Sequence, residues 1–394
     1  MKIIVDLRAL AGDQISGVKI YLRNTLAEIF RLDKKNSYFL WFNSATENFP
    51  ELEIPHSPRF KKIHTKFSNR LLNFRLRFFD APPLDRFIFS NEKRAEKIDL
   101  FWSPDPRPVA LSDDCRLVVT VHDLSPTRFP QFFSAKTMLW QRFLNSQKIA
   151  QTADRILAVS NFTQSELTEF WKIPAEKIAV TPLAARISVQ KIRPKKLPKK
   201  FILALSTLEP RKNLRTLVRA FAELQKENLS SARIGDSNKV ELVIAGDFDR
   251  KIFADPGIMK HETRNMKHGA SSTKHGIHFL GSVSEAEKAG LLAAAEVFCF
   301  PSIYEGFGLP PLEAAVAGTP ILAADIPPLR EVLGTAAQFV APENIDAWRI
   351  ALAKILADKK LRQKMAAAGK VRARKFSWEN TAKKTLAAFA EVVK

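Results

Sequence analysis

Two carboxylates eight positions apart, Glu305 and Glu313, bracket the run Gly306-Phe307-Gly308-Leu309-Pro310-Pro311-Leu312. Carboxylates accept hydrogen bonds from hydroxyls, and glycines let a backbone approach a ligand closely. The preceding run Val297-Phe298-Cys299-Phe300 is apolar without alternation, as in a parallel strand covered on both faces. Pro311 suits the first turn of a helix, and Gly318 with Pro320 suits its end. The expected unit is therefore a strand, a glycine turn and a helix whose N-terminus favours an anion such as a diphosphate. Glu305 on the turn suits the hydroxyls of a hexose. Glu313, expected in the first helical turn, suits those of a ribose, as an acidic residue does in dinucleotide-binding folds. Together they describe a nucleotide-sugar site. The same residues also suit a plain turn followed by a helix with an acid near its positive end.

Such a turn needs strands and helices on either side to hold it. Strand-like runs at 2–7, 38–42, 117–121 and 155–159 alternate with helical patterns at about 18–30 and 135–150, a βαβ series that predicts a parallel sheet. The pattern stops near Pro182, and Lys191-Ile192-Arg193-Pro194-Lys195-Lys196-Leu197-Pro198 is polar and proline-bearing, as a linker is. A second series then begins, with strands at 201–205, 240–245, 277–280, 297–300 and 320–323 and helices from about 213 to 225 and 285 to 295. The expected fold class is α/β, with two Rossmann-like, doubly wound parallel-sheet domains facing across a cleft. Their spans are 1–190 and 200–376. Ser377 caps a last helix, 377–394, with Trp378, Ala382, Leu386 and Phe389 at helical spacing, expected to pack back on the first domain.

With 394 residues, 46% of them hydrophobic, the chain can fill two cores, which excludes disorder as its class. No run of 18 apolar residues occurs, and Met1-Lys2-Ile3-Ile4-Val5-Asp6 reads as a strand rather than a secretory signal, so a cytoplasmic protein is expected. Cys115 and Cys299 lack metal-site spacing. His261, His268, His275 and His278 fit no helix face or ligand pair and read as loop histidines, and Asp247-Phe248-Asp249 follows a strand and reads as a turn. No metal or other cofactor is expected.

The 62 basic and 41 acidic residues leave a net charge of +21, which calls for an acidic partner. Between Arg59 and Lys97, basic residues such as Arg70, Arg75 and Arg77 interleave with Leu71, Phe74, Phe78 and Phe79. This is the composition of a peripheral segment at an anionic membrane surface, and equally of a core stripe beside a solvated face. A basic nucleic-acid-binding protein is the reading from another class. The chain carries no RNP-like, zinc-finger or helix-turn-helix signature, which sets nucleic acid aside as a partner.

Six motifs in order resemble glycosyltransferase family GT4, the glycosyl transferases group 1, over nearly the whole chain. They are Ser16-Gly17-Val18, Val121-His122-Asp123-Leu124-Ser125-Pro126, Val159-Ser160-Asn161-Phe162-Thr163, Ser206-Thr207-Leu208-Glu209-Pro210-Arg211-Lys212-Asn213, Gly281-Ser282-Val283 and the stretch from Glu305 to Glu313. The resemblance implies a GT-B fold and a metal-independent, retaining transfer of a hexose from a nucleotide sugar. It implies His122, Lys212 and Glu305 as catalytic residues. It places Gly17, Arg211, Lys212, Val283, Glu305, Gly306, Phe307, Gly308, Leu309 and Glu313 around the donor, with Arg211 and Lys212 on the diphosphate. Many relatives carry Gly-Arg where Ser206 and Thr207 stand here, so Arg211 is expected to have taken over that role. Ser160 and Thr163 suit a helix cap.

The resemblance further implies an acceptor that is a glycan or lipid-linked, in surface polysaccharide or lipopolysaccharide synthesis, and a protein peripheral to the inner face of the membrane. Mannose from GDP-mannose is the donor it favours; a UDP-sugar-dependent glucosyl- or rhamnosyltransferase is the alternative. No carboxylate presents itself as a nucleophile, so retention implies front-face attack, with the departing phosphate oxygen taking the acceptor's proton.

Overall fold

A computed structural model describes residues 1–12, 16–89, 96–194, 197–231, 240–247, 272–274 and 276–393. The chain forms two compact units. The first comprises 1–124, 139–183 and 377–394, and the second 125–138 and 184–376. The segment 125–138 thus groups with the second unit, a division that the expected spans 1–190 and 200–376 did not make.

In the first unit seven strands, β1 (Lys2–Asp6), β2 (Ser37–Asn43), β3 (Phe60–Thr65), β4 (Leu100–Ser103), β5 (Arg116–Val121), β6 (Arg155–Ala158) and β7 (Ile178–Val180), form a sheet in the order β3-β2-β1-β4-β5-β6-β7. All its pairings are parallel. Ile3, Ile4 and Val5 are all fully buried, which is why β1 shows no alternation: both faces are covered. The helix Gly17–Leu32 is opened by Ser16, whose side chain accepts from the Lys19 N–H, and it buries a stripe from Tyr21 to Phe30. Against it packs the terminal helix Trp378–Val392, capped by Ser377. Phe389 of that helix meets Trp102 edge-on at 5.5 Å, Thr381 donates to the Pro182 carbonyl at 2.5 Å, and Arg31 pairs with Glu379 at 2.7 Å.

Two features depart from expectation. The helical pattern at 135–150 is two helices, Ala135–Leu144 and Ser146–Thr152, because Asn145 adopts a left-handed conformation (φ 52°) that ends one turn and starts another. The basic segment after Arg59 begins as the edge strand β3, with Lys61 and Lys62 exposed, a common way of blunting a sheet edge. Arg59 donates to the carbonyls of Asp33 and Asn36, and Lys61 pairs with Glu96.

The second unit repeats the plan with β8 (Phe201–Leu205), β9 (Glu241–Ala245), β10 (Ser272–Lys274), β11 (Ile277–Phe279), β12 (Val297–Phe300), β13 (Ile321–Ala324) and β14 (Ala337–Val340), ordered β10-β11-β9-β8-β12-β13-β14. Only β10 runs antiparallel to its neighbour. The order reverses between β8 and β12. At such a point the loops leaving adjacent strands diverge to opposite faces and open a crevice at the carboxyl ends, where α/β sheets bind ligands. Gly246, just past β9, has φ 146° and no room for a side chain, since a Cβ there would lie 1.8 Å from the Ser206 carbonyl oxygen.

Phe389→Ala should cost the first unit about 3–5 kcal/mol. Hydrogen exchange should then show faster exchange in β1, β4 and β5 with β8 to β14 unchanged; equal loss in both sheets would refute the assignment of the terminal helix to the first unit alone.

Candidate active site

The reversal between β8 and β12 sets the loop 206–213 beside the loop 301–308. Their backbones are joined where the Ile303 N–H donates to the Arg211 carbonyl at 2.9 Å. Asn213 pins them further: its side-chain amide donates to the carbonyls of Pro301 (3.2 Å) and Pro342 (2.7 Å). Asn213 takes a left-handed conformation (φ 52°), so the helix expected from 213 begins at Leu214 and runs to Ser231.

Between these loops lie two carboxylates and two cations, all largely buried. Lys212 Nζ donates to Glu305 Oε1 at 2.6 Å. Arg211 Nη1 reaches Glu305 Oε2 at 3.3 Å and the Tyr304 carbonyl at 3.0 Å, while its Nη2 meets Glu209 Oε1 at 2.7 Å. The ammonium of Lys212 also stands 3.8 Å from Glu209 and 5.4 Å from the centre of the Phe300 ring. Glu305 is 7% exposed. Burial pushes its carboxyl up, but the charges of Lys212 and Arg211 together outweigh that and hold it below the ordinary glutamate range. Glu305 is therefore an anion at neutral pH, aimed and fixed by the two cations.

Gly308 turns the chain into the helix Leu309–Ala317. Its φ of 95° favours glycine, and a Cβ there would come within 2.5 Å of the Leu329 side chain. Pro310 and Pro311 occupy the second and third helical positions and bring no N–H. Two of the four donors that a helix start offers are thus missing, and the backbone amides at Gly306 to Leu309 supply those this turn can offer. Phe307 is buried, edge-on to Phe376 at 5.7 Å, so its side chain belongs to the core.

Pro311 lies in the first turn as expected, but Glu313 is the fifth residue of this helix, one place past the turn in which it was expected, because the helix starts at Leu309. It is 4% exposed, and its Oε1 accepts from Lys288 Nζ at 2.7 Å; Lys288 also pairs with Glu285 at 2.9 Å. Burial outweighs Lys288 here and pushes the Glu313 carboxyl up to about 7. Val283 lies half-buried in the turn after β11, where Gly281 has φ 67° and Ser282 hydrogen-bonds Asp247. The remaining residues of Asp247-Phe248-Asp249 lie outside the described residues, as do His261, His268 and His275; His278 pairs with Glu241.

His122 and Gly17 belong to the first unit. His122 follows β5, and its Nε2 donates to the Pro104 carbonyl at 2.9 Å, with the ring edge-on to Tyr21 at 5.0 Å. Burial lowers its pKa below the ordinary value, against the opposing pull of that carbonyl. The imidazole is therefore neutral, and since a carbonyl only accepts, the proton is on Nε2 and Nδ1 is the acceptor. Gly17 is the first residue of its helix, exposed, with open space where a Cβ would stand. Ser160 accepts from the Thr163 N–H at 2.9 Å, the cap expected of it.

The structure thus joins Arg211, Lys212 and Glu305 in one cluster and puts Glu313 on the helix that follows Glu305. It adds three residues that the motif reading left without a role: Glu209, Asn213 and Lys288. Glu209, three positions before Lys212, is visible as an acid in a basic motif. Lys288 carries no signal, since its pairing with Glu313 joins two helices.

Residues 17–186 match the pattern of Glycosyltransferase Family 4, and residues 186–372 that of Glycosyl transferases group 1. The O-antigen chain mannosyltransferase B of Escherichia coli is 31% identical over 284 residues, 70% of each chain. The chain belongs to glycosyltransferase family 4. Other relatives are longer: the chain spans 34% of the serotype-specific mannosyltransferase WbdA of Escherichia coli, to which it is 27% identical over 290 residues. Among solved structures, sucrose-phosphate synthase from Thermosynechococcus elongatus aligns over 99% of this chain and 98% of its own with a TM-score of 0.68 at 19% identity. These likenesses give the family 4 chain the GT-B architecture, two Rossmann-like units each built on a doubly wound sheet.

Two outcomes follow from this geometry. Lys212→Ala should lower kcat by about 10²–10³, the usual effect of removing one preorganised charge; unchanged transfer by the folded variant would remove Lys212 from the site. Glu313 should confer a pH dependence on donor binding. The ionised carboxylate accepts from hydroxyls more strongly than the protonated acid, so affinity for the nucleoside diphosphate should be full above about 7 and weaken below it. Calorimetric titrations across that range test this, and a flat profile would dissociate Glu313 from the donor. The folding linkage runs the other way: a raised carboxyl favours the fold most below its ordinary 4.5 and loses that contribution as pH rises through about 7.

Proposed function

We propose that this family 4 member is a retaining, metal-independent mannosyltransferase that moves mannose from GDP-mannose to a glycan or lipid-linked acceptor in surface polysaccharide synthesis, working at the cytoplasmic face of a membrane. The observation that carries it is the cation pair Arg211 and Lys212, held by Glu305 and Glu209 where β8 and β12 diverge. The choice of sugar rests on relatives named as mannosyltransferases, among them the O-antigen chain enzyme of Escherichia coli.

Charge develops on the diphosphate as the anomeric bond breaks. Arg211 and Lys212 meet that charge with positions already set, in a buried place where each is worth more than in water. They do the neutralising that a divalent metal does elsewhere. Glu305, kept anionic by the same cations, accepts from hexose hydroxyls, and Glu313 from the ribose. His122 enters as a neutral imidazole, so Nδ1 accepts from a sugar hydroxyl rather than donating to it. The anomeric C–O bond breaks, the acceptor oxygen bonds the same face of the anomeric carbon, and the acceptor's proton passes to the departing phosphate oxygen.

The test is transfer from GDP-mannose in excess EDTA, with the product anomer read by NMR and a thermal-shift panel of GDP- and UDP-sugars alongside. Stabilisation by GDP-mannose, undiminished transfer and a retained anomer are expected. Loss of transfer in EDTA would overturn metal independence, an inverted anomer would overturn front-face attack, and stabilisation by UDP-sugars alone would make this a glucosyl- or rhamnosyltransferase.

A further inference from the structure

The helix Asn69–Phe78 carries two apolar stripes where a surface helix needs one. Leu72 and Leu76 join the core of the first unit. Leu71, Phe74 and Phe78, spaced three and four apart, point the other way into solvent. With Phe79, and with Leu139 and Trp140 of the neighbouring helix, they are between 43% and 69% exposed.

The aromatic rings among them make one continuous row. Phe79 and Phe74 lie 6.2 Å apart, Phe74 and Phe78 4.9 Å, Phe78 and Phe143 5.9 Å, and Phe143 stacks on Trp140 at 5.0 Å. Arg77 Nε donates to the Phe143 carbonyl at 3.0 Å, which ties the two helices together. A fixed row of exposed aromatic and aliphatic groups marks an interaction site.

The surrounding charge selects the partner. Exposed Arg70 and Arg75 lie on the helix that carries Phe74 and Phe78, Lys66 just before it, and exposed Arg142 on the helix that carries Trp140. No carboxylate occurs from Lys66 to Phe79 or from Ala135 to Ala153. A second copy of the chain would bring the same positive patch against itself. Single-stranded nucleic acid needs open ring faces for stacking, whereas these rings pack on one another beside two leucines. An apolar stripe with a basic border is what an anionic bilayer takes up, the rings entering the acyl boundary and the cations meeting headgroups.

We propose that this two-helix face docks the protein on an anionic lipid bilayer by inserting Phe74, Phe78, Phe79 and Trp140. This deepens the reading of a membrane-borne acceptor given above, yet it stands on exposure and charge alone.

The full chain is sedimented with vesicles of phosphatidylglycerol and phosphatidylcholine, or of phosphatidylcholine alone, without donor. Binding to the anionic vesicles, weakened by salt, is expected, with a blue shift of tryptophan fluorescence. The double variant Phe78→Ser with Phe79→Ser should bind at least about tenfold less, lose the blue shift and keep its thermal midpoint, since both rings are exposed. Transfer to a soluble acceptor should be unchanged in that variant. Absence of binding by the unaltered chain, equal binding by the variant, or equal binding to uncharged vesicles would each overturn the proposal. So would a dimer, or retention on single-stranded RNA, that the same double change abolishes. Failure of transfer with vesicle binding intact would count against the transferase reading alone.

Discussion

The pairing of Glu305 with Lys212 and Arg211 is the contact that ties together the two loops where the second unit's sheet opens. Burying one carboxylate without partners costs several kcal/mol, and two buried cations are no cheaper. Glu209 and Glu305 together match Arg211 and Lys212 in charge, so the cluster tolerates burial because it is locally neutral. Two loops that the strand order drives apart are thereby held together at the place where the sheet opens.

Where the sequence was read correctly, local physics sufficed. Uninterrupted apolar runs such as Val297 to Phe300 fit strands covered on both faces, as those of a parallel sheet are. Ser160 and Ser377 announced helix starts because a hydroxyl there has orphan N–H groups to satisfy. The two Rossmann-like units and the turn from Glu305 to Leu309 were legible for these reasons.

What escaped depended on distance along the chain. Asn145 splits a helix whose apolar spacing runs on undisturbed, because left-handed backbone leaves no trace in periodicity. Pro311 lies in the first helical turn as expected, but proline fits several early positions and so did not show that Glu313 falls one place past that turn. Lys288 shapes the titration of Glu313 from another helix, and Glu209 shares its charge with residues that the motif had assigned to a ligand. The stretch after Arg59 held an edge strand and a helix with two apolar faces, and composition averaged them into one basic segment.

The closing helix of the first unit, residues 378–392, has a consequence for the order of assembly. Ribosomes deliver the chain from its start, and domains generally form as they emerge. Here the second unit, complete at Phe376, is delivered before the last piece of the first. Until Phe389 arrives, Trp102 lacks its edge-on ring and the helix Gly17–Leu32 lacks the neighbour it packs against. The half of the protein that is begun first is therefore the half that is finished last, and in the interval its uncovered apolar face is what a chaperone would find.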